Sequence, residues 1–426
     1  MGGPLDRTCF PAFLRKTPLV VRVAFVSLVA VWLAAAAWAS SSTRTNSKSP
    51  ASTKITESTQ TQKRISRLRK SRRAKARKVS RKRRVRAKRR HRRYRERFKT
   101  SSYAQDATEG DIATGEDPVV RAAAVEALGN MNGTVVAIDP NTGRILAMVN
   151  QKLALSSGAM PCSTIKMAVG LAALNEKLVD KDTEVRLGRR WTMNLTKALA
   201  VSNNTYFEAL GRQLGFEKVS HYAHQFGIGE LAGYDLDGEH PGAFPEKEPP
   251  TRRGGVGRMC SFGEGISITP LQLGALVAAI ANGGTLYYVQ HPQSEEEVLS
   301  FQPRIKRQLD IAPLIPELSV GLAAAVEYGT ARTLHYNFSE EQVLGKTGTC
   351  SKDGTRFGWF ASWANTQYGR IVTVVFLRGG RPTYGPKAAE IAGRMYRNLY
   401  EHSFFANRAG TTPEQPNGTR STGASQ

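Results

Sequence analysis

Cysteine is scarce in this 426-residue chain: there are four, Cys9, Cys162, Cys260 and Cys350, and no two share a Cys-x-x-Cys or other metal-ligand spacing. Neither a zinc centre nor a redox dithiol is indicated, and no metal or cofactor is expected. Acids are also short, 35 against 61 lysines and arginines, for a formal net charge of +26. That imbalance is local, because Lys63 to Lys99 holds 23 basic residues and one acid, Glu96, which is +22 of the total. Aromatic residues are nearly missing from the same stretch, with only Tyr94 and Phe98. Base stacking, and with it sequence-reading of nucleic acid, is therefore not expected. Apolar residues are few from Ser40 to about Glu116, and such a segment cannot bury enough surface to offset its chain entropy. Residues 40–117 are read as a disordered linker, strongly basic over 63–99.

One long run has no charge at all. Val23 to Ala39 spans 17 uncharged residues after Arg7, Arg15, Lys16 and Arg22. It is longer than the apolar core of a cleaved signal peptide and close to the lower limit for a spanning helix, which favours a retained anchor over 19–39 behind a cytoplasmic 1–18. Ala37-Trp38-Ala39 before Ser40 has the small-x-small form of a cleavage site, so removal stays open. Arg44, Lys48 and Lys54 blur the positive-inside asymmetry, and charge alone does not orient the segment. If everything after Ala39 is exported, three cysteines lie outside and at least one is unpaired. For Cys162 and Cys350 a buried free thiol is the expectation and a disulfide the alternative.

Three short strings carry the chemistry: Ser163-Thr-Ile-Lys166, Ser202-Asn-Asn204 and Lys346-Thr-Gly-Thr349. Thr134–Pro140 and Arg144–Asn150 read as a hairpin turned at Asn141-Thr-Gly143. Helical spacing then fills Ser163 to Leu178, putting Ser163 at a helix N-terminus, where free N–H groups favour negative charge on its oxygen. Ser202-Asn-Asn204 falls between helical patterns at Thr192–Ala200 and Thr205–Leu214. A buried helix is expected over Thr269–Asn282, closed by Gly283-Gly284. Strands follow at Val343–Cys350, Gly358–Ala364 and Ile371–Leu377, then an amphipathic helix from Pro386 to about His402. This order implies an α+β domain, one antiparallel sheet flanked by helices, over 118–405, with a disordered tail at 406–426.

A Ser-x-x-Lys string on a helix points hydroxyl and amine the same way, so the amine can take the serine proton. No other serine in the chain has a lysine three residues on. Lysine acts as a base only when burial or a second cation lowers its pKa, and Lys346 on a neighbouring edge strand would be that cation. Gly348 would admit a substrate backbone, while Thr347 and Thr349 would offer hydroxyls to a carboxylate. Backbone N–H groups of Ser163 and Thr349 would face a tetrahedral oxygen. Ser202 would relay a proton to the leaving amine, and Asn204 would hold a substrate amide.

At these residues the chain resembles the transpeptidase domain of the penicillin-binding proteins, in the group that includes serine β-lactamases. The likeness runs over roughly Ala123 to Tyr400 and extends to Gly133–Met148 and to Gly263–Leu273 with Ala281-Asn-Gly-Gly284. It implies acyl-enzyme formation at Ser163 on the D-Ala-D-Ala end of a peptidoglycan stem peptide, followed by transfer to another stem's amine. Lys166, Ser202 and Lys346 are carried over as catalytic, and Asn204, Thr347, Gly348 and Thr349 as substrate-binding. β-Lactam antibiotics are implied ligands. The substrate lies outside the cytoplasmic membrane, which sets the orientation: a single-pass protein with its catalytic domain on the outer, periplasmic side. No glycosyltransferase domain is read before Pro118, so a separate one is an expected partner. Cys162, directly before the nucleophile, departs from the small residue more usual there.

Other readings stay open. A D,D-carboxypeptidase differs only in using water as acceptor. A β-lactamase needs a base to position water; no Glu-x-x-Leu-Asn string of the class A kind is present, and Asn204 stands where class D enzymes resemble a valine. A non-catalytic, membrane-tethered module that binds polyanions or β-lactams belongs to another class. The basic stretch 63–99 is either a self-repelling spacer or a contact for lipid headgroups, wall polymers or nucleic acid.

Overall fold

The computed structural model describes residues 97–366 and 369–408. The anchor at 19–39, most of the basic stretch and nearly all of the 406–426 tail lie outside the described residues. Among the described residues, no helix is long and apolar enough to cross a membrane.

Five strands form an antiparallel sheet. β1 (Gly133–Ile138) and β2 (Ile145–Val149) make the expected N-terminal hairpin. Two small hairpins stand apart from the main sheet, β3 (Val185–Gly188) with β4 (Trp191–Met193) and β5 (Thr285–Tyr287) with β6 (Ile305–Gln308). The C-terminal strands β7 (Gln342–Lys352), β8 (Thr355–Thr366) and β9 (Gly369–Gly379) complete the order β2-β1-β9-β8-β7, leaving β7 at one edge. These three run past the apolar segments that mark them in the sequence. Their polar ends, such as Ser351↔Arg356, are held by cross-strand pairing, which hydrophobic periodicity does not register.

Side chains alternate across this sheet and split the core in two. Val136, Ile138, Trp359, Ala361, Val372 and Val374 face one apolar cluster, whereas Val135, Ala137, Phe360, Ala364, Ile371 and Val375 face the other. The second cluster is covered by α1 (Pro118–Leu128) and by a C-terminal helix described below. The first holds α2 (Lys166–Asn175), α3 (Leu195–Ala200), α4 (Asn204–Gln225), α5 (Gly255–Phe262) and α6 (Pro270–Asn282). α6 is the helix expected from Thr269. Thr269 Oγ1 accepts from Gln272 N and Gln272 Oε1 accepts from Thr269 N, a reciprocal cap that satisfies donors left free at a helix start. Every residue from Pro270 to Ala281 is buried. α7 (Ile315–Glu327) and α8 (Gly385–Glu401) follow, and α8 lays its buried face on the second cluster.

Two local expectations change. Helical spacing from Thr192 suggests a helix there, but Trp191–Met193 pairs as β4 and α3 begins only at Leu195, capped by Asn194. Residues 97–117, read as the end of a disordered linker, pack on the domain. Lys99 N donates to Gly354 O at 2.8 Å and Gly380 N to Ser102 Oγ at 2.7 Å. Buried Glu116 accepts from Met148 N and from Arg121, and pairs with His291. Polar residues here fasten the segment by pairing, so its low apolar content misleads.

Candidate active site

The first string lies where a 3-10 turn, Cys162–Ile165, feeds α2. Ser163 sits on that turn and is half-buried, while Lys166 opens the helix with its side chain wholly buried. One turn of separation brings Lys166 Nζ to 3.0 Å from Ser163 Oγ. The second string forms the tight link between α3 and α4. Ser202 takes a left-handed φ of 55°, and Asn203 caps α4 by accepting from Tyr206 N at 2.9 Å. That bend turns Ser202 and Asn204 onto the Lys166 amine, which donates to Ser202 O at 2.8 Å and to Asn204 Oδ1 at 2.7 Å. Lys166 Nζ also lies 3.2 Å from Ser202 Oγ.

The third string runs along edge strand β7. Lys346 is wholly buried and donates to Ser202 Oγ at 2.8 Å and to Thr347 O at 3.1 Å. Ser202 Oγ thus bridges two lysines. Burial, then the nearby Lys346 charge, lowers the Lys166 pKa to about 6, with Glu208 on α4 opposing. Burial lowers Lys346 to about 7. At pH 7 an amine of pKa near 6 is uncharged by roughly ten to one.

An uncharged lysine has two hydrogens and one lone pair. Ser202 O and Asn204 Oδ1 can only accept, so they take the two hydrogens and leave the lone pair for the hydroxyls of Ser163 and Ser202, whose Oγ atoms lie at 3.0 and 3.2 Å. This arrangement suits removal of the hydroxyl proton.

The third string's side chains alternate, as a strand requires. Gly348 shares the Lys346 face, and a Cβ on it would meet Pro161 O at 2.8 Å, Trp359 Cβ at 3.1 Å and Thr164 Cγ2 at 3.2 Å. The space a side chain would need is filled by the nucleophile turn itself. Thr347 and Thr349 point the other way, Thr347 Oγ1 to Thr330 Oγ1 at 2.6 Å and Thr349 Oγ1 accepting from Gly385 N at 2.7 Å. The structure therefore converges Ser163, Lys166, Ser202, Asn204 and Lys346, while those two hydroxyls are engaged with Thr330 and the start of α8.

Sequence reasoning missed two supports, Trp359, whose Nε1 donates to Met160 O at 3.0 Å, and Thr330, and it held the disulfide between Cys162 and Cys350 only as the alternative. The free-thiol expectation is corrected for both cysteines; Cys260 stays free and buried. A pairing 188 residues apart has no signature in spacing, although the position of each cysteine beside a motif was visible. Beyond Cys350 opens a cleft of about 840 Å³, lined by Met160, Arg258, Glu264 and Lys352 among others.

Residues 133–400 match the family model described as the penicillin-binding protein transpeptidase domain. The chain is 31% identical over 317 residues to stage V sporulation protein D of Bacillus subtilis, covering 62% of this chain and 48% of that protein. With the peptidoglycan D,D-transpeptidase MrdA of Acinetobacter baumannii it shares 28% over 236 residues, 42% of this chain and 35% of that protein. It thus spans about half or less of the length of these relatives. Among solved structures, the transpeptidase domain of Burkholderia pseudomallei penicillin-binding protein 3 superposes with a TM-score of 0.58 at 20% identity, over 71% of this chain and 98% of that one. The D,D-transpeptidase domain of a peptidoglycan glycosyltransferase from Eggerthella lenta gives 0.53 at 21%, over 67% and 81%. At such identity these structures establish the fold, the expected α+β arrangement of helices around an antiparallel sheet. The family model covers well over half of the chain, and the protein belongs to the penicillin-binding protein transpeptidase domain family.

Proposed function

We propose that this chain is a peptidoglycan D,D-transpeptidase that forms an acyl-enzyme at Ser163 and cross-links stem peptides. The observation that carries the reading is Lys166 Nζ at 3.0 Å from Ser163 Oγ, with Ser202 O and Asn204 Oδ1 placed to accept its hydrogens. Lys166 takes the hydroxyl proton as Ser163 Oγ attacks the carbonyl carbon between the two terminal D-alanines. Backbone N–H groups of Ser163 and Thr349 receive the oxyanion. On collapse the C–N bond breaks, and the leaving amine takes its proton from Lys166 through Ser202 Oγ, which Lys346 holds in place. Terminal D-alanine departs. A second stem's amine then attacks the ester, its proton returns by the same path, and Ser163 is restored. Lys346 and the β7 backbone at Gly348 hold the substrate carboxylate and chain, and the hydroxyls of Thr347 and Thr349 join them only by giving up Thr330 Oγ1 and Gly385 N; Asn204 both fixes Lys166 and faces the stem amide. A β-lactam acylates the same hydroxyl.

In the same reading, residues 19–39 anchor the protein in the cytoplasmic membrane, 40–96 tether a domain that acts on the outer side, and a separate glycosyltransferase supplies glycan. The Cys162–Cys350 bond supports an exported domain, because disulfides persist in oxidising compartments. The test is purified protein given a stem pentapeptide with and without an amine acceptor. Free D-alanine together with a cross-linked product supports transpeptidation. Hydrolysed tetrapeptide alone supports the carboxypeptidase reading, and no D-alanine release by a protein that a penicillin labels points to a binding module.

A further inference from the structure

We infer that the Cys162–Cys350 disulfide is a positioning link of the acyl-transfer site, one that holds the nucleophile turn against β7 and whose opening by a dithiol slows acylation of Ser163. The inference rests on the proposed acylation at Ser163.

The bond joins the residue just before the nucleophile to the residue just after Lys346-Thr-Gly-Thr349. It therefore ties together the two elements whose separation sets the distance from Ser163 to the Lys346 strand. Among the described residues no backbone hydrogen bond connects 160–165 with 346–350. The turn instead leans on Gly348, on Gly263, where a Cβ would meet Pro161 Cγ at 2.4 Å, and on the Trp359 hydrogen bond to Met160 O. Packing at the two glycines resists compression but not separation, and the one hydrogen bond, from Trp359, ties the turn to β8 rather than to β7. The covalent bond supplies the missing restraint, and it does so at Cys162, a non-glycine residue with a φ of 53°. A left-handed residue next to the nucleophile is a place where the chain would relax if released.

The bond is also reachable. Cys162 is fully buried, but Cys350 is half-buried and lines the 840 Å³ cleft beside Met160. A small dithiol entering there attacks the Cys350 sulfur as a thiolate. Cys162 leaves as a thiol, and the reductant's second sulfur then resolves the mixed disulfide, freeing Cys350. Two electrons and two protons pass from the dithiol, which itself becomes a disulfide. Cys260 is free and buried, and the test removes it.

The experiment measures the acylation rate of a Cys260→Ser protein by a fluorescent penicillin, split into non-covalent affinity and the first-order acylation step. It compares the oxidised protein, protein treated with dithiothreitol and verified by thiol alkylation of a sample, and a Cys162→Ser/Cys350→Ser variant. The first-order step should fall at least tenfold in the reduced and double-variant proteins, with affinity changed less than threefold and near-UV circular dichroism retained. Reoxidation with oxidised glutathione should restore it in the cysteine-containing protein alone. Equal acylation steps in all three forms overturn the inference, as does a loss that appears only together with loss of near-UV signal. Failure of the oxidised protein to acylate at Ser163 counts against the proposed function instead.

Discussion

Lys346 Nζ donates to Ser202 Oγ at 2.8 Å, so the third motif reaches the nucleophile's base through the hydroxyl of the second. The same hydroxyl lies 3.2 Å from Lys166 Nζ, which makes one serine the junction of a two-lysine site.

Acylation should accordingly have a bell-shaped pH profile. The acid limb, near pH 6, is protonation of Lys166, and the basic limb, near pH 7, is loss of the Lys346 charge that holds the substrate carboxylate. Replacing Lys346 by Gln removes a cation that depresses Lys166, so the acid limb should move to higher pH. Stopped-flow labelling with a chromogenic cephalosporin from pH 5 to 9 measures both limbs.

Stability should respond to the same two groups. The folded chain holds Lys166 near 6 and Lys346 near 7, against an ordinary value of 10.5. Between those values the unfolded chain binds more protons, and stability therefore rises with pH. The penalty is complete below about pH 6 and fades as pH climbs toward 10.5. Thermal midpoints should increase from pH 6 to 8.5 in wild type and do so less in Lys166→Met.

Gly348→Ala should damage fold and site together. Its Cβ has to displace Pro161 O and Thr164 Cγ2, both on the nucleophile turn. Overpacking of this kind costs about 1–3 kcal/mol. Urea midpoints would measure the loss, and penicillin labelling should fall with it even where the variant remains folded.

Much of this site is legible in the sequence because its chemistry needs short strings: Ser163 and Lys166 meet through a single helical turn, and Ser202 and Asn204 through one interhelical bend. The β1–β2 hairpin and α6 carry equally local signals in Asn141-Thr-Gly143 and in the Thr269–Gln272 cap. What sequence did not supply is contact across distance. The Cys162–Cys350 bond, Thr330 against Thr347 and Trp359 under Met160 join residues with no local relation. Residues 97–117 look like linker because their hold on the domain is polar, and composition counts only apolar surface.

That polar hold gives a prediction of its own. Glu116 is buried among Arg121, His291 and Met148 N, and Glu116→Ala leaves the Arg121 guanidinium, the His291 ring and the Met148 N–H without this partner. Arg121 keeps its pair with Asp111, so the loss is that of buried polar groups left without a partner, about 1–3 kcal/mol. Chemical denaturation should show the loss, and limited proteolysis should cut within 97–117 before it cuts the sheet.

The central claim is tested most directly by intact mass of the purified protein after exposure to benzylpenicillin, with the modified residue mapped by peptide sequencing. One adduct of the drug's mass on Ser163, absent in Ser163→Ala, is the expected result. No adduct, or an adduct on any other residue, would contradict it.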